Sequence, residues 1–364
     1  MQMTFIRLCT RLMPCLLILW VACSTSPSGE YRIALVPARG GQRGLYMVNS
    51  DSTGAKLLST QGTVQLRPES WSPDGKKIAY FSVGPGDVAI MENYRIPSHF
   101  LLYLMDATGA SQRRLLDFPV SSFAWSPDSE KIVFVSAYDD PQREDHDVVR
   151  GTRQPVSAIY MLELRSGQQR RATELGHHCS AAWSPDGTRL ALSFGTELKS
   201  DIYVASLDGK HTRRLTDSST INIHPSWSPN GKTLAYVAAS APGEESPDAG
   251  VWMLDADGAN KKQVTNMMIS EVSWAPDGKN LLLLSVGGIY VVGASGGNPV
   301  KISGVPERPM DPVFTPDGQK VMFRSNHEGD WHLYTVGLDG ANLKRIIGQL
   351  SASQFCLSPL LSKH

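Results

Sequence analysis

The sequence of 364 residues has no excess of charge of either sign, because 35 Lys and Arg residues balance 35 Asp and Glu residues. Without a basic surplus to neutralise a phosphate backbone, nucleic acid is excluded as an expected partner. Apolar runs long enough for a permanent transmembrane helix are also missing. The hydrophobic content of 41% nevertheless predicts a folded chain with a large core.

Two further absences narrow the class of protein. Beyond residue 30 the chain shows no helical periodicity of its apolar residues, which argues against a helical fold. It also lacks a compact metal-ligand spacing such as H-E-x-x-H, so neither a bound metal nor another cofactor is predicted.

The N-terminal residues differ from the rest of the chain. Arg7 and Arg11 precede an apolar run over residues 12–22, and Cys23 follows that run. A positive start, a short apolar run and a small residue before cysteine are typical of a lipoprotein export signal. We therefore predict a signal peptide over residues 1–22, lipidation of Cys23 and a flexible tether over residues 23–30.

The alternative for this segment is a plain signal peptide or a single-pass anchor with an incidental cysteine. Ser24, which directly follows Cys23, favours transport to the outer membrane if the source is a double-membraned bacterium. The predicted location is thus the periplasmic side of the cell envelope, with membrane contact through the lipid anchor alone.

One short phrase recurs along the rest of the chain. It begins with an aromatic residue followed by Ser-Pro-Asp-Gly or a close variant, and its starts are 40 to 58 residues apart. This spacing is typical of the blades of β-propellers. The six clear copies are Trp71-Ser-Pro-Asp-Gly75, Trp125-Ser-Pro-Asp-Ser129, Trp183-Ser-Pro-Asp-Gly187, Trp227-Ser-Pro-Asn-Gly231, Trp274-Ala-Pro-Asp-Gly278 and Phe314-Thr-Pro-Asp-Gly318, and a seventh, shortened copy is Leu357-Ser-Pro359.

Each copy predicts the same local structure. The aromatic residue ends one strand, Pro and Asp set a turn, and Gly supplies a positive φ that other residues resist. The next strand is apolar, a third strand centres on an aromatic residue, and a basic pair such as Arg213-Arg214 leads a short fourth strand. Four antiparallel strands make one propeller blade.

The copies predict an all-β, seven-bladed β-propeller as a single domain over residues 31–359, followed by a tail over residues 360–364. Residues 33–36, near the start of the domain, match the second strand of a blade, and residues 355–358, near its end, match the first strand of a blade. We expect the C-terminal strand to pair with the N-terminal strand and close the ring, which removes an exposed sheet edge. A six-bladed ring is the alternative. Cys179 and Cys356 fall in repeats that are not neighbours, so no disulfide is expected between them.

These phrases resemble the repeat of the TolB-like β-propeller family, and the resemblance covers residues 31–359. It implies the propeller fold but leaves the activity open. The family includes the periplasmic protein TolB, propeller domains of prolyl-oligopeptidase-type peptidases and stand-alone envelope proteins. The chain differs from TolB itself in its seven expected units, in its lack of room for a separate N-terminal α/β domain, and in its lipoprotein-type signal.

The G-x-S-x-G pattern of serine hydrolases occurs once, at Gly293-Ala-Ser295-Gly-Gly297. In hydrolases this pattern forms an elbow between a strand and a helix, whereas here it falls in the turn between two predicted strands. The peptidases that resemble this propeller carry a hydrolase domain after it, and no such domain is expected here. No catalytic residue is therefore predicted.

Polar residues precede the aromatic residue of several copies. Inner strands surround the channel of a propeller, so we expect these side chains to gather at one channel mouth and form a ligand site. Histidines and carboxylates in this set are also possible metal ligands, and the alternative is a group of solvated polar side chains. The predicted ligand-binding residues are Arg67, Glu69, His177, His178, His224, Glu271, Arg308 and Asp311.

Two segments exceed the blade template, at residues 84–100 and 136–157. Both separate a second strand from a third strand, so both are expected to project from one face of neighbouring blades, where long insertions often bind partners. A calcium or partner site and a solvated loop are both compatible with the charges of the second insertion. Its candidate partner-binding residues are Asp139, Asp140, Glu144, Asp145, His146 and Asp147.

Two functional classes remain. The favoured one is a monomeric, lipid-anchored envelope scaffold that binds a protein or a glycan at the propeller face and catalyses no reaction. The alternative is a polysaccharide-processing enzyme, a lyase or a hydrolase, with a metal-assisted site at the channel mouth. The first is favoured because the repeat explains nearly every residue that would suggest an active site.

Overall fold

The computed structural model shows an all-β chain, which confirms the prediction of an all-β fold. No α-helix occurs in the part of the chain that it describes. The predicted signal peptide, tether and tail lie outside that part. The described residues are 31–37, 44–59, 63–65, 70–83, 101–139, 156–174, 178–195, 199–208, 211–217, 220–240, 246–346, 352–357 and 359.

The described residues form short strands that follow one another through the whole chain. In chain order the strands are β1 (Arg32–Pro37), β2 (Leu45–Asn49), β3 (Lys56–Ser59), β4 (Thr63–Gln65), β5 (Lys77–Val83), β6 (Leu101–Asp106), β7 (Arg113–Arg114), β8 (Ser122–Trp125), β9 (Lys131–Ser136), β10 (Ala158–Glu163), β11 (Gln169–Arg171), β12 (His178–Trp183), β13 (Arg189–Gly195), β14 (Ser200–Ser206), β15 (Thr212–Arg214), β16 (Ile221–Trp227), β17 (Thr233–Ala239), β18 (Gly250–Asp255), β19 (Lys262–Thr265), β20 (Ile269–Trp274), β21 (Asn280–Ser285), β22 (Gly288–Gly293), β23 (Val300–Lys301), β24 (Pro309–Phe314), β25 (Lys320–Ser325), β26 (His332–Gly337), β27 (Lys344–Ile346) and β28 (Ala352–Leu357).

The strands pair in groups of four. Five four-stranded sheets have the orders β28-β1-β2-β3, β4-β5-β6-β7, β8-β9-β10-β11, β20-β21-β22-β23 and β24-β25-β26-β27. A further sheet contains β12 to β19, and its two halves meet at a parallel bridge between Ser200 and Ile221. We call the first strand of each group of four its inner strand and the last its outer strand. The outer strands are β3, β7, β11, β15, β19, β23 and β27.

Contacts divide the chain into two compact units, each with its own core. The first unit contains Leu116–Val272, and its core includes Trp183 and Trp227, which are 8% and 3% exposed. The second unit comprises the described residues of Trp20–Gly86, Leu102–Leu115 and Ser273–His364. Within each unit the second strands of the groups are buried over most of their length, and the third strands are buried in part.

Aromatic side chains link the second and third strands across several groups. Phe134 on β9 stacks on Tyr160 of β10, with ring centroids 5.3 Å apart. Phe323 on β25 stacks in the same way on Tyr334 of β26, at 5.6 Å. In these two groups the cross-strand pair accounts for the aromatic residue at the centre of the third strand.

The recurring phrase forms a turn in which each polar residue has a hydrogen-bonding role. In the copy that begins at Trp183, the Ser184 hydroxyl donates to Asp186 Oδ1 at 2.5 Å and accepts the Arg189 backbone N–H at 2.9 Å. Gly187 has a φ of 69°, a left-handed conformation that glycine adopts without strain. The copies that begin at Trp71, Trp227 and Phe314 form the same turn. The predicted roles of Asp and Gly are thus confirmed.

Consecutive copies also contact each other through this phrase. The indole Nε1 of Trp227 donates to the backbone carbonyl of Ala182 at 3.2 Å, and that of Trp183 donates to Ala124 at 3.3 Å. Gly231 packs against the proline of the preceding copy, since a Cβ at this position would lie 3.5 Å from Pro185 Cδ. The corresponding distance from Gly75 to Pro359, in the shortened last copy, is 3.7 Å.

The last strand and the first strand of the described chain are partners in one sheet. β28 pairs antiparallel with β1, and Ala34 lies opposite Cys356. Both residues are buried in a cluster that also contains Trp71 and Tyr80. The two ends of this part of the chain therefore contribute to one core within the second unit.

Candidate binding site

The predicted ligand-binding residues that the structure describes lie on or beside inner strands. His224 is in β16, Glu271 in β20, Asp311 in β24, and Arg308 directly precedes β24. His178 begins β12, although only its backbone is described. Arg67, Glu69 and His177 lie outside the described residues.

Two of these inner strands contain the same bulge. In β16, Ile223 pairs with Val237 and Ser226 with Ala235, so His224 and Pro225 together face one residue of the partner strand. A bulge of this kind bends the strand and redirects a side chain. His224 has a φ of 55°, which is strained for a residue other than glycine and is disfavoured before proline.

The second bulge lies at the equivalent place in β24. Met310 pairs with Arg324 and Val313 with Met322, so Asp311 and Pro312 form the extra pair. Asp311 has a φ of 51°, close to that of His224, and both side chains are half-buried. Each residue stands three positions before the aromatic residue of its copy. The repeat thus presents a different polar side chain at one structural position.

The Asp311 carboxylate is part of a short chain of side-chain contacts in the second unit. Its Oδ2 accepts a hydrogen bond from Arg324 Nε within an ion pair. The Arg324 guanidinium in turn lies over the ring of Trp331, 4.5 Å from its centroid. Arg308, by contrast, is exposed, with a φ of 56°. A cation, a carboxylate and an indole at one strand end form a surface suited to binding a polar partner.

Glu271 occupies the equivalent position in β20 and is only 5% exposed. Its side chain is thus more deeply buried than those of His224 and Asp311, which are half-buried. The sequence does not indicate which of the three side chains is buried, because burial at this position depends on the packing of each copy.

A buried polar network fixes the start of β16, just ahead of His224. Asp201 at the start of β14 accepts hydrogen bonds from Arg214 Nη2 at 2.6 Å and from Thr216 Oγ1 at 2.8 Å. This bond with Asp201 raises the pKa of the Arg214 guanidinium above its ordinary value. The carbonyl of Asn222, in β16, accepts the hydroxyl of Ser200 at 2.8 Å. The ion pair thus holds β14 and β15 together, and the Ser200–Asn222 bond joins the two halves of the eight-stranded sheet.

Replacement of the buried carboxylate should weaken the fold strongly. We expect Asp201→Ala to lower the free energy of unfolding by about 2–4 kcal/mol, because Arg214 and Thr216 lose a buried acceptor. Asp217→Ala is the matched control: Asp217 also bonds Arg214 at 2.6 Å, but its side chain is 77% exposed. Its loss should cost no more than about 1 kcal/mol. Urea unfolding measures both, and equal losses would contradict the role of the buried network.

Asp139 is the described member of the predicted partner-binding loop. Its carboxylate accepts the Tyr160 hydroxyl, and its Oδ2 lies 3.6 Å from Arg171 Nη1. Burial and this hydrogen bond both raise the pKa of Tyr160. Asp139 thus has a structural role at the base of the insertion. Asp140, Glu144, Asp145, His146 and Asp147 lie outside the described residues.

The structure also contains a polar cluster that sequence reasoning missed, on the connection between β25 and β26. Glu328 Oε1 lies 3.4 Å from His327 Nε2, and its Oε2 lies 3.8 Å from His332 Nε2 and 3.4 Å from Arg345 Nη1. Burial, together with the charge of Arg345, lowers the pKa of His332 below its ordinary value. No familiar motif marks this cluster, and the nearest signal is the presence of two histidines beside one glutamate in the sequence.

Two further features were sought in the described residues, namely metal-ligand groups and membrane-spanning helices. Among the described ranges, no group of three or more His, Cys, Asp or Glu side chains is arranged to hold a metal ion. The same residues contain no helix that is long and apolar enough to cross a membrane.

The G-x-S-x-G pattern lies in a turn, as predicted. Gly293 ends β22, and the Gly296 backbone N–H donates to its carbonyl at 2.9 Å before β23 begins. Because a strand rather than a helix follows, Ser295 lacks the elbow that exposes a hydrolase nucleophile.

Comparison with known proteins places these features in a family. The family model described as the TolB beta propeller domain matches residues 88–288. The Tol-Pal system protein TolB of Bordetella pertussis is 32% identical over 160 residues, which are 43% of this chain and 36% of that protein. The chain spans between 23% and 59% of the length of the first curated relatives that it matches.

Solved structures show the same fold at lower identity. TolB from Acinetobacter baumannii is 16% identical with a TM-score of 0.53, and the alignment covers 90% of this chain and 82% of that one. Oligogalacturonate lyase from Vibrio parahaemolyticus is also 16% identical, with a TM-score of 0.62 and coverage of 90% and 91%. Because the family model covers more than half of the sequence, the chain belongs to the TolB β-propeller domain family, as a relative that is not TolB itself.

Proposed function

We propose that this chain is a lipid-anchored scaffold of the cell envelope, which binds a protein or glycan partner at one end of its inner strands. The observation that supports this proposal most directly is the pair of bulges at His224 and Asp311. They place a strained, half-buried polar side chain at the same position of two copies, and such strain is commonly retained where a side chain serves recognition. The name of the Bordetella relative, a Tol-Pal system protein, supports an envelope role.

The proposed scaffold is a closed ring of seven blades over residues 31–359. Counting each half of the eight-stranded sheet as one blade gives seven groups of four strands. The pairing of β28 with β1 supports closure, as does the contact between Pro359 and Gly75. That contact repeats the proline-to-glycine packing between other consecutive copies.

The proposed protein is exported by an N-terminal signal and anchored by a lipid. Residues 1–22 act as the signal, Cys23 carries the lipid, residues 23–30 form the tether, and Ser24 directs the monomeric protein to the outer membrane. Cys23→Ser should move the protein from the membrane fraction to the soluble fraction, whereas Cys179→Ser should leave it in the membrane.

A polysaccharide-processing enzyme is the second candidate, because an oligogalacturonate lyase shares the fold. His224 and the buried Glu271, together with His178, are the residues of that candidate site. Stoichiometric metal in the purified protein that is lost on His178→Ala and His224→Ala would favour this enzyme over the scaffold.

The binding site can be tested by affinity capture from cross-linked envelope extracts. The inner-strand variant carries His224→Ala and Asp311→Ala, and the matched control carries His211→Ala and Asp257→Ala at exposed positions away from the inner strands. We expect the wild type and the control to capture the same partner and the inner-strand variant to lose it. Equal capture by all three proteins, with equal melting temperatures, would overturn the proposed site.

A further inference from the structure

The connection between β25 and β26, residues 326–331, and the strand that follows it contain buried polar atoms with unmet hydrogen-bonding capacity. Within the described part of the chain, Asn326 Oδ1, His332 Nδ1 and the Tyr334 hydroxyl have no hydrogen-bond partner. His332 and Tyr334 are only 8% and 4% exposed, so bulk solvent does not compensate. Opening of the connection to water would satisfy these atoms. The closed arrangement is therefore less favourable, relative to an open one, than a fully hydrogen-bonded connection would be.

His332, the first residue of β26, packs among charged groups from several elements. Its Nε2 lies 3.8 Å from Glu328 Oε2, and the same carboxylate oxygen lies 3.4 Å from Arg345 Nη1 on the outer strand β27. β28 also packs against β26 and carries no charged residue. The titratable and charged groups around His332 are His327, Glu328, Asp330, Tyr334 and Arg345.

This environment disfavours the protonated form of His332. Burial, together with the positive charge of Arg345, outweighs the attraction of Glu328 and Asp330 and lowers the pKa of His332 below its ordinary value. A protonated imidazole donates from both nitrogens, and the closed arrangement offers no acceptor to Nδ1 among the residues described. Because an open connection binds the proton more readily than the closed one, acid shifts the equilibrium towards the open form.

The same connection contributes to the inner-strand surface of this group of strands. Trp331, the last residue of the connection, directly precedes His332. Its ring lies against the Arg324 guanidinium, 4.5 Å from the ring centroid, and Arg324 forms the ion pair with Asp311. Since Trp331 and His332 are adjacent in the chain, opening that hydrates His332 moves Trp331 away from Arg324.

We infer that the β25–β26 connection is a pH-sensitive element that controls the inner-strand site: protonation of His332 opens the connection, withdraws Trp331 from Arg324 and weakens partner binding. At neutral pH the connection is closed, and Asp311, Arg324 and Trp331 form one surface. In acid the ion pair loses its indole neighbour. The movement of Trp331 depends on this part of the chain alone, whereas its effect on binding rests on the proposed function.

The movement of Trp331 can be followed without a partner, by fluorine NMR of the full chain labelled with fluorotryptophan. The resonance that is missing in Trp331→Phe belongs to this residue. We expect it to shift as the pH falls from about 8 to about 5, with a midpoint below the ordinary histidine pKa and with unchanged circular dichroism. His332→Gln should abolish the shift, and the matched control His211→Gln, at an exposed position in the first unit, should keep it.

Two charge variants test the sign of the effect and leave His332 in place. Glu328→Gln removes an attraction for the protonated ring and should lower the midpoint by about 0.2–0.7 pH unit, whereas Arg345→Gln removes a repulsion and should raise it by a similar amount. Arg213→Gln is their control, because Arg213 is not among the charges that act on His332. A Trp331 resonance that is independent of pH, or that shifts only as the circular dichroism is lost, would overturn the inference. Midpoints that move in the same direction in both charge variants would overturn it as well.

Affinity capture from cross-linked envelope extracts at about pH 7.5 and about pH 5.5 tests the effect on binding. The wild type should capture at least about fivefold less of its neutral-pH partner in acid, whereas His332→Gln should capture similar amounts at both pH values. Equal capture by the wild type at both pH values, with the Trp331 shift intact, would overturn the control of binding and leave the proposed site standing. Absence of any captured partner at neutral pH would contradict the proposed function instead, and the Trp331 shift would still support the pH-sensitive element.

Discussion

A chain that ends at Leu350, and therefore lacks β28, is expected to lose stable folding. Without β28, β1 becomes an unpaired sheet edge, which favours aggregation. The shortened chain also lacks Phe355 and Cys356, which are 3% and 1% exposed in the core. Loss of one large buried aromatic costs about 3–5 kcal/mol, against a total stability of about 5–15 kcal/mol for a domain. Circular dichroism melting and size-exclusion chromatography measure the effect.

The control for this experiment is a chain that ends at Leu360. It keeps β28 and the contact of Pro359 with Gly75, so it should melt at the temperature of the full chain. A chain ending at Leu350 that melts at that same temperature and stays monomeric would show that β28 contributes little.

Ala34→Cys is expected to form a disulfide with Cys356 under oxidising conditions. The two residues are direct partners across β1 and β28, and both are buried. Opposite Cα atoms of antiparallel strands lie about 4.5–5.5 Å apart, which is within the range that a disulfide bridges. Because the cross-link closes a very long loop, it should stabilise the fold by about 2–5 kcal/mol. Peptide mapping and melting with and without reductant test this expectation.

Val36→Cys is the matched control for the register. Val36 lies opposite Gln354, so its thiol would be displaced along the strand from Cys356. Diagonal neighbours are about 7–8 Å apart, beyond the reach of an unstrained disulfide. Cross-linking at position 36 but not at position 34 would show that the two strands pair in another register.

The sequence predicted the fold because the repeat encodes its own turn. Ser184, Asp186 and Gly187 have one local role each, and such roles can be inferred from residue type and spacing. The copy that ends in Ser129 shows the limit of this reasoning. Ser129 has a φ of 61° where the other five clear copies have glycine, because the hydrogen bonds of the turn impose that conformation. The number of blades and the gathering of site residues at a channel mouth stay predictions.

The candidate site was less accessible to sequence reasoning. The chemistry of His224 and Asp311 marks them as candidates in the sequence, yet the bulges that redirect them depend on the pairing of β16 and β24 with their neighbours. Nearby charges predict that Asp139 belongs to a partner-binding loop, and they give no sign of its contacts with Tyr160 and Arg171, which lie on strands that follow it in the chain. Long-range contacts of this kind leave no local pattern.

The contact between Pro359 and Gly75 explains why the last copy is the most degenerate. In the six clear copies, the residues after the proline build a turn that leads directly into the next strand. The sheet partner of β28 is β1, which lies at the opposite end of the described chain, so no turn joins them. We therefore expect substitutions after Pro359 to be nearly neutral for stability, whereas Pro359 packs against Gly75. The last copy therefore keeps the half of the phrase that contacts another copy and lacks the half that reverses the chain.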